Sequence, residues 1–202
     1  MIISKETISD FEQRYRTAFI NSLAGFRQAV LVGTKSKDGL TNLAIFNSLI
    51  HLGANPALFG LISRPEKVPR DTLKNILETR EYTLNLVQHS YYKHAHKTSA
   101  RYPSDVSEFE QAGFSEYYHE AYYPPFVGEA IIKIAMKFEE KIDITINNTV
   151  LIIGSIQQIE LDEALIEADG FVNLHAAKVL ISQGLDAYFV SESIGRLPYA
   201  KP

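Results

Sequence analysis

The chain has 202 residues, and 46% of them are hydrophobic, which is enough for the core of one large domain or of two fused ones. A formal net charge of −4 argues against a nucleic-acid binder, and the absence of cysteine excludes disulfides, thiolate catalysis and thiolate-held metal clusters. No basic stretch precedes a long apolar run, and no apolar segment reaches the roughly 18 residues of a membrane span. We therefore expect a cytoplasmic protein with neither an export signal nor a membrane segment.

Apolar, β-branched runs predict three strands in the first third of the chain. The strands are Ala29–Thr34, Thr41–Asn47 and Ala57–Ile62. The turn at 36–39 joins the first two strands as a hairpin, because Asp-Gly supplies the left-handed conformations that such turns need. Asn55-Pro56 marks the turn before the third strand. Upstream, aromatic residues at helical spacing predict that part of Ser9–Asn21 is helical.

A helix begins soon after the third strand. Asp71 or Thr72 is its expected N-cap, since short polar side chains satisfy the first free amides of a helix. Free amides and the positive end of the helix dipole attract anions, so Arg64 and Arg70 beside them predict a phosphate cradle. From these residues alone, an ordinary capped helix with a solvated basic rim remains open as the alternative.

Further strands and one more helix are expected in the rest of the chain. The predicted strands are Tyr82–Val87, Glu129–Phe138 and Thr149–Glu160. Asn147-Asn148 is the turn between the last two of them. The segment Phe171–Leu180 is predicted to end in a helix that begins at His175. For His175 a capping or packing role is favoured over a functional one.

Residues 88–125 differ in composition from the predicted strands. They hold seven of the eleven tyrosines and four of the six histidines. We predict a long excursion that serves as a lid or a subunit contact, with a short helix around Ser107–Ala112. His94 and His96 invite comparison with a metal site, but no acidic or thiol partner lies at a known ligand spacing. A solvent-exposed loop that carries titratable histidines is the preferred interpretation, and no metal site is predicted.

Several common catalytic motifs are missing from the sequence. Gly33 and Gly39 lack the spacing of a dinucleotide-binding loop, and neither a nucleophile elbow nor a phosphate-binding P-loop is present. We therefore expect no separate nicotinamide domain and assign no catalytic side chain.

Taken in order, six segments of the chain resemble the flavin reductase-like, FMN-binding split-barrel family. They are DGLTNLAIFNSL, ALFGLISRP, RDTLKNILETREYTLNLV, KTSARYPSDVSEFEQAGF, DGFVNLHAAKVLISQGLDAYF and GRLPYAKP. The resemblance implies a mainly β, α+β fold, namely an FMN-binding split β-barrel with peripheral helices. It also implies one domain over residues 1–202, with the excursion at about 88–125 as its lid or dimer contact.

The same resemblance implies a set of cofactor-binding residues. In the family, the positions of Phe46, Asn47 and Ser48 lie along the isoalloxazine ring. Those of Ser63, Arg64, Arg70 and Thr72 hold the phosphate and ribityl chain, and Asp71 orients Arg70 or caps the helix. Thr98 and Ser99 approach the flavin from the lid side. For Asn47 and Ser48 the residues alone leave an ordinary strand-ending turn open.

The function implied is that of an FMN-dependent oxidoreductase and, within that class, of an NAD(P)H-dependent flavin reductase. FMN is the expected cofactor, with FAD as the other option, and NAD(P)H is a transient co-substrate that passes hydride through flavin N5 to a flavin or another small acceptor. The family also implies a homodimer. Two alternatives remain: a flavoredoxin-like FMN electron carrier without NAD(P)H turnover, and a split barrel that binds a different ligand such as haem.

Overall fold

The computed structural model describes residues 1–64 and 71–201. Its α-helices are α1 (Lys5–Asp10), α2 (Gln13–Leu23), α3 (Asp71–Thr79), α4 (Tyr92–Lys97) and α5 (Glu108–Ala112). Its first six strands are β1 (Arg27–Gln28), β2 (Val30–Lys35), β3 (Thr41–Phe46), β4 (Ile50–Ala54), β5 (Ala57–Ser63) and β6 (Glu81–Leu86). The others are β7 (Glu116–Tyr117), β8 (Phe126–Val127), β9 (Ile132–Ile144), β10 (Thr149–Leu161), β11 (Ile181–Gln183) and β12 (Ala187–Phe189).

Seven of these strands form one antiparallel sheet in the order β3-β2-β6-β9-β10-β5-β4. The two edge strands, β3 and β4, are consecutive in the chain and are joined by residues 47–49 alone. So short a connection reaches from one edge to the other only if the sheet curls until its edges meet. The sheet is therefore a barrel, and the mainly β, α+β class predicted from the sequence is confirmed.

Two apolar clusters pack on opposite faces of the curled sheet. The inner cluster is built from alternate strand residues and from α3, and its members include Val30, Val32, Leu73, Ile76, Leu84 and Ile152. The outer cluster lies between the sheet and the 91–114 segment, and its members include Leu31, Leu43, Val87, Ala95 and Phe109. Since successive strand residues point to opposite faces, β2 contributes to both clusters.

A buried polar network fixes α3 against the barrel. The Asn42 side-chain amide donates to Thr72 Oγ1 at 2.9 Å and to Thr34 Oγ1 at 3.2 Å. Asn75 donates to the same Thr34 hydroxyl at 3.2 Å. Buried polar groups that are paired in this way set a specific docking position. The start of α3 is thereby tied to the first half of β3.

Most of the predicted elements are confirmed. The 36–39 hairpin, the turn at Asn55-Pro56, the α2 region and the helix after Ser107 are all present. The prediction of Asp71 or Thr72 as N-cap is wrong, because Asp71 is already helical. Strand β4 was not predicted, because four of its five residues are exposed and it shows no apolar alternation.

The helix predicted to begin at His175 is wrong. Residues 174–178 form turns, and Lys178 adopts a left-handed φ of 52° that ends any helical run. The chain instead bridges Gln88 to Val179 and continues into β11. This pairing with the chain just after β6 therefore overrides the helical spacing of apolar residues in the 171–180 segment. Among the helices of the two described ranges, none has the length and apolarity needed to cross a membrane.

Candidate functional site

Residues 46–48 form the corner at which the chain passes from one edge of the barrel to the other. Phe46 ends β3 and packs against the inner apolar cluster. The Asn47 side-chain amide donates to the carbonyl of Gly184 at 2.7 Å, which ties the corner to the loop after β11. The corner therefore has a fixed shape, and its side chains are partly buried.

Ser48 joins this corner to the end of β5. Its hydroxyl lies 3.1 Å from both the amide nitrogen and the carbonyl oxygen of Ile62, accepting from the first and donating to the second. Ser63 and Arg64 follow immediately, Ser63 buried and Arg64 exposed. The structure thus brings together the predicted ring-binding corner and the first two predicted phosphate-binding residues, which are separated in the sequence by the whole of β4 and β5.

The outer edge of β3 offers backbone donors along the same path. The Leu43 amide points away from β2 and donates to a Glu108 carboxylate oxygen at 3.1 Å. Strand alternation directs the amide of Ile45 toward the same side. Fixed backbone donors beside a partly buried corner suit a carbonyl-rich ring that gains negative charge on reduction.

The start of α3 lies at the other end of β3. Thr72 is buried, and its hydroxyl accepts the hydrogen bond from Asn42. Asp71 lines a cavity of about 230 Å³ between the 36–42 hairpin, α3 and residues 104–106. Arg70, predicted to hold phosphate, lies outside the described residues. For Arg64, no side-chain hydrogen bond or ion pair occurs within residues 1–64 and 71–201.

The charge around the start of α3 is mainly negative. The cavity there is lined by Asp38, Asp71 and Asp105, with Lys74 as the basic residue. Nearby, burial raises the pKa of the Glu108 carboxyl, and the negative charge of Asp71 raises it further. A dianionic phosphate inside this cavity would meet several like charges. The exposed guanidinium of Arg64 is the more favourable anion partner on electrostatic grounds.

Thr98 and Ser99 lie at the end of α4, in the 88–125 segment. The Thr98 hydroxyl is buried and donates to the carbonyl of Ala95 at 2.8 Å, while Ser99 donates to the carbonyl of His96 at 2.7 Å. Both hydroxyls therefore close the last turn of the helix. No side-chain hydrogen bond within the described ranges connects either of them to the 46–48 corner.

Two histidines of α4 make local contacts. His94 Nδ1 lies 2.7 Å from the carbonyl oxygen of Ala112, and His96 Nδ1 lies 2.9 Å from Tyr188 Oη. Across residues 1–64 and 71–201, no group of three or more His, Asp or Glu side chains is arranged to hold a metal ion. These contacts attach α4 to α5 and to β12.

Sequence reasoning missed two residues beside the predicted site. Glu108 caps the edge of β3 from a segment 65 residues away, and Asn42 connects β3 to α3. Asn42 stands within the DGLTNLAIFNSL segment, so the family resemblance gave a signal for it. Glu108 stands in a polar, aromatic-rich stretch, where nothing local distinguishes one carboxylate from its neighbours.

Residues 24–177 match the family model of the flavin reductase like domain. The matched range covers the seven-stranded barrel, the 46–48 corner and the 88–125 segment. The chain belongs to the flavin reductase-like family. Membership agrees with the curled sheet and with the order in which the six sequence segments occur.

Three solved structures show how far this likeness extends. A proposed flavin reductase with a split-barrel domain from Shewanella frigidimarina NCIMB 400 is 46% identical, with a TM-score of 0.95 over 99% of this chain and 100% of its own. Nitrilotriacetate monooxygenase component B from Bacillus cereus is 22% identical, with a TM-score of 0.85 and 98% of each chain covered. Flavoredoxin of Desulfovibrio vulgaris is 19% identical, with a TM-score of 0.74 over 87% of this chain and 92% of its own. The latter two share the fold, and the first confirms the split-barrel prediction.

Proposed function

We propose that this member of the flavin reductase-like family binds FMN and acts as an NAD(P)H-dependent flavin reductase. The observation that supports this most strongly is the Ser48–Ile62 contact. It sets the 46–48 corner directly beside Ser63 and Arg64. A ring site and an anion site adjacent in space are what a flavin with a phosphate tail requires.

Each proposed binding residue has a separate task. The outward amide of Ile45 and the backbone of Asn47 and Ser48 face the polar edge of the ring, and Phe46 supports it from the inner apolar cluster. Arg64 pairs with the phosphate, with Arg70 as its expected companion. Ser63 and Thr72 are assigned to the phosphate and ribityl chain and Asp71 to the orientation of Arg70, and Thr98 and Ser99 approach the flavin or its phosphate from the 88–125 segment.

When bound, FMN supplies the hydride-accepting centre. This chain then needs to orient the ring, hold donors at its carbonyl edge and limit the access of water and oxygen. No protein acid or base is required for a direct hydride transfer, which agrees with the lack of a nucleophile–base pair in the sequence. We further propose a homodimer, a cytoplasmic location and one site that NAD(P)H and the small-molecule acceptor occupy in turn.

The anion site can be tested by comparing two ligands that differ only in the phosphate. In the Arg64→Ala variant we expect the affinity for FMN to fall at least about tenfold, since a charge-assisted pair is lost, while the affinity for riboflavin changes little. Quenching of flavin fluorescence on titration measures both dissociation constants. Arg70→Ala is the second variant, for the companion residue expected from the sequence.

The matched control is Arg14→Ala, which removes the same charge from an exposed position on α2. It corrects for long-range electrostatic effects on an anionic ligand. An equal loss of FMN and riboflavin binding in Arg64→Ala would contradict the phosphate role of this residue.

A further inference from the structure

The segment after β12 leaves large apolar side chains in solvent. The exposed fractions of Ile194, Leu197 and Tyr199 are 102%, 93% and 90%. Residues 190–201, named here the C-terminal arm, contain no helix or strand. Three fully exposed apolar side chains close together on one short segment indicate a contact surface.

The arm nevertheless has a fixed direction where it leaves the barrel. His175 Nδ1 lies 3.0 Å from the carbonyl oxygen of Ser191. The Arg196 guanidinium pairs with Glu167 and, at 2.6 Å, with Asp169, and it lies 4.0 Å above the Phe171 ring centroid. These pairings lower the pKa of Asp169 and raise that of Arg196. The arm is therefore anchored through Arg196, while its apolar side chains point away from their own chain.

A second exposed apolar surface begins where the arm leaves β12. Helix α2 has no buried residue, although Tyr15 and Leu23 stand on it with exposed fractions of 58% and 68%. Beyond the helix, Phe26 is 65% exposed and meets the Phe189 ring edge-on at 4.9 Å. This α2 surface, made of Tyr15, Leu23, Phe26 and Phe189, lies next to the point where the arm starts.

The total surface area indicates how much contact is missing. A monomer of 22.7 kDa is expected to expose about 9,500 Å², whereas this chain exposes 12,621 Å². The excess is roughly 3,000 Å². Obligate homodimers bury about 1,000–2,500 Å² on each copy, so one partner of similar size accounts for most of the excess.

We propose that the C-terminal arm crosses to a second copy of this chain and seats Ile194, Leu197 and Tyr199 on the α2 surface of that copy. The arm and the α2 surface begin at the same place on each chain, so a two-fold axis nearby lets both exchanges occur at once. The proposal rests on the homodimer proposed above and not on its flavin chemistry.

Molar mass in solution tests the proposal. Light scattering after size exclusion should give the mass of a dimer for the full chain. It should give the mass of a monomer for the triple variant Ile194→Ser, Leu197→Ser, Tyr199→Ser. These side chains are almost fully exposed, so the variant is expected to keep the thermal transition and flavin affinity of a folded barrel. The control is Ile146→Ser, which removes a side chain 97% exposed in the turn between β9 and β10.

Each outcome decides one question. A dimeric triple variant would overturn the arm exchange while leaving the homodimer intact. A monomeric full chain would overturn both, and FMN binding measured on the same samples tells whether the proposed function stands independently.

The absence of native cysteine allows a direct test of the contact. A chain carrying Leu197→Cys is mixed with a chain carrying Leu23→Cys, and the mixture is oxidised. We expect a disulfide-linked heterodimer that neither chain forms as efficiently alone. If no cross-link forms in the mixture, the assignment of α2 as the receiving surface is wrong.

Discussion

Side-chain oxygens that hold the backbone of a neighbouring strand determine the shape of the candidate site. Ser48 does so for Ile62, and Glu108 does so for Leu43. The polarity of the 46–48 corner was visible in the sequence, because it breaks an apolar strand. The partners were not visible, since a hydrogen bond between residues 65 positions apart leaves no local pattern.

Glu108 gives a prediction on pH dependence. Because burial, assisted by Asp71, raises its pKa above the ordinary 4.5, the folded chain keeps this proton at pH values where the unfolded chain has lost it. The stability contributed by Glu108 is therefore complete below pH 4.5 and declines as the pH rises from 4.5 through the raised folded pKa. In Glu108→Gln the amide oxygen still accepts from Leu43, but nothing ionises.

Urea unfolding at a series of pH values measures this difference. We expect Glu108→Gln to gain stability relative to the parent chain as the pH rises from 4 to 7. Glu110→Gln, an exposed position on the same helix, is the control. Parallel pH profiles for the parent and Glu108→Gln would contradict the raised pKa.

At the scale of strands and helices, the sequence predicted the hairpin and helix that depend on local residues, and it failed where long-range hydrogen bonds decide the conformation. The Asp-Gly hairpin follows from its turn residues, and the helix after Ser107 ends at Gly113, whose left-handed φ of 77° a glycine adopts readily. The 171–180 segment has helical spacing as well, but Val179 bridges to Gln88 and Leu180 donates to the Val87 carbonyl at 3.0 Å. These long-range pairings decided its conformation.

The packing of β6 against β10 gives a prediction at this scale. The Tyr82 hydroxyl is buried against Gly154, where a Cβ atom would overlap it, and it has no hydrogen-bond partner among residues 1–64 and 71–201. Burial and the nearby charge of Glu139 raise the pKa of this phenol. Removal of an unpaired buried hydroxyl ends its desolvation cost, so we expect Tyr82→Phe to stabilise the protein by about 1 kcal/mol.

Chemical denaturation measures the change in the free energy of unfolding. Gly154→Ala should have the opposite effect. Its added methyl group would overlap the Tyr82 hydroxyl, so we expect the protein to be destabilised by about 1–3 kcal/mol. A loss of about 1 kcal/mol or more in Tyr82→Phe would show that the hydroxyl is satisfied in solution, for example by a bound water.

At the scale of the whole molecule, the barrel follows from a topological fact that the sequence does not display. Seven strands with edges joined by residues 47–49 must close, but the pairing order β3-β2-β6-β9-β10-β5-β4 involves contacts between distant segments. Apolar patterns in the sequence indicated every strand of the sheet except β4, and only the family resemblance indicated their arrangement. The same arrangement places Ser63 and Arg64 beside the 46–48 corner. In the sequence alone, these two stretches are separate motifs with no visible connection.

Reduction of bound flavin tests the central claim most directly. The FMN-loaded full chain is mixed without oxygen with NADPH, and separately with NADH, while the visible absorption band of the flavin is followed by stopped flow. We predict that at least one nucleotide bleaches the band within one turnover and that free FMN added in excess restores it. If neither nucleotide changes a band that dithionite does bleach, the chain carries electrons without its own NAD(P)H reaction, and the proposed reductase activity is wrong.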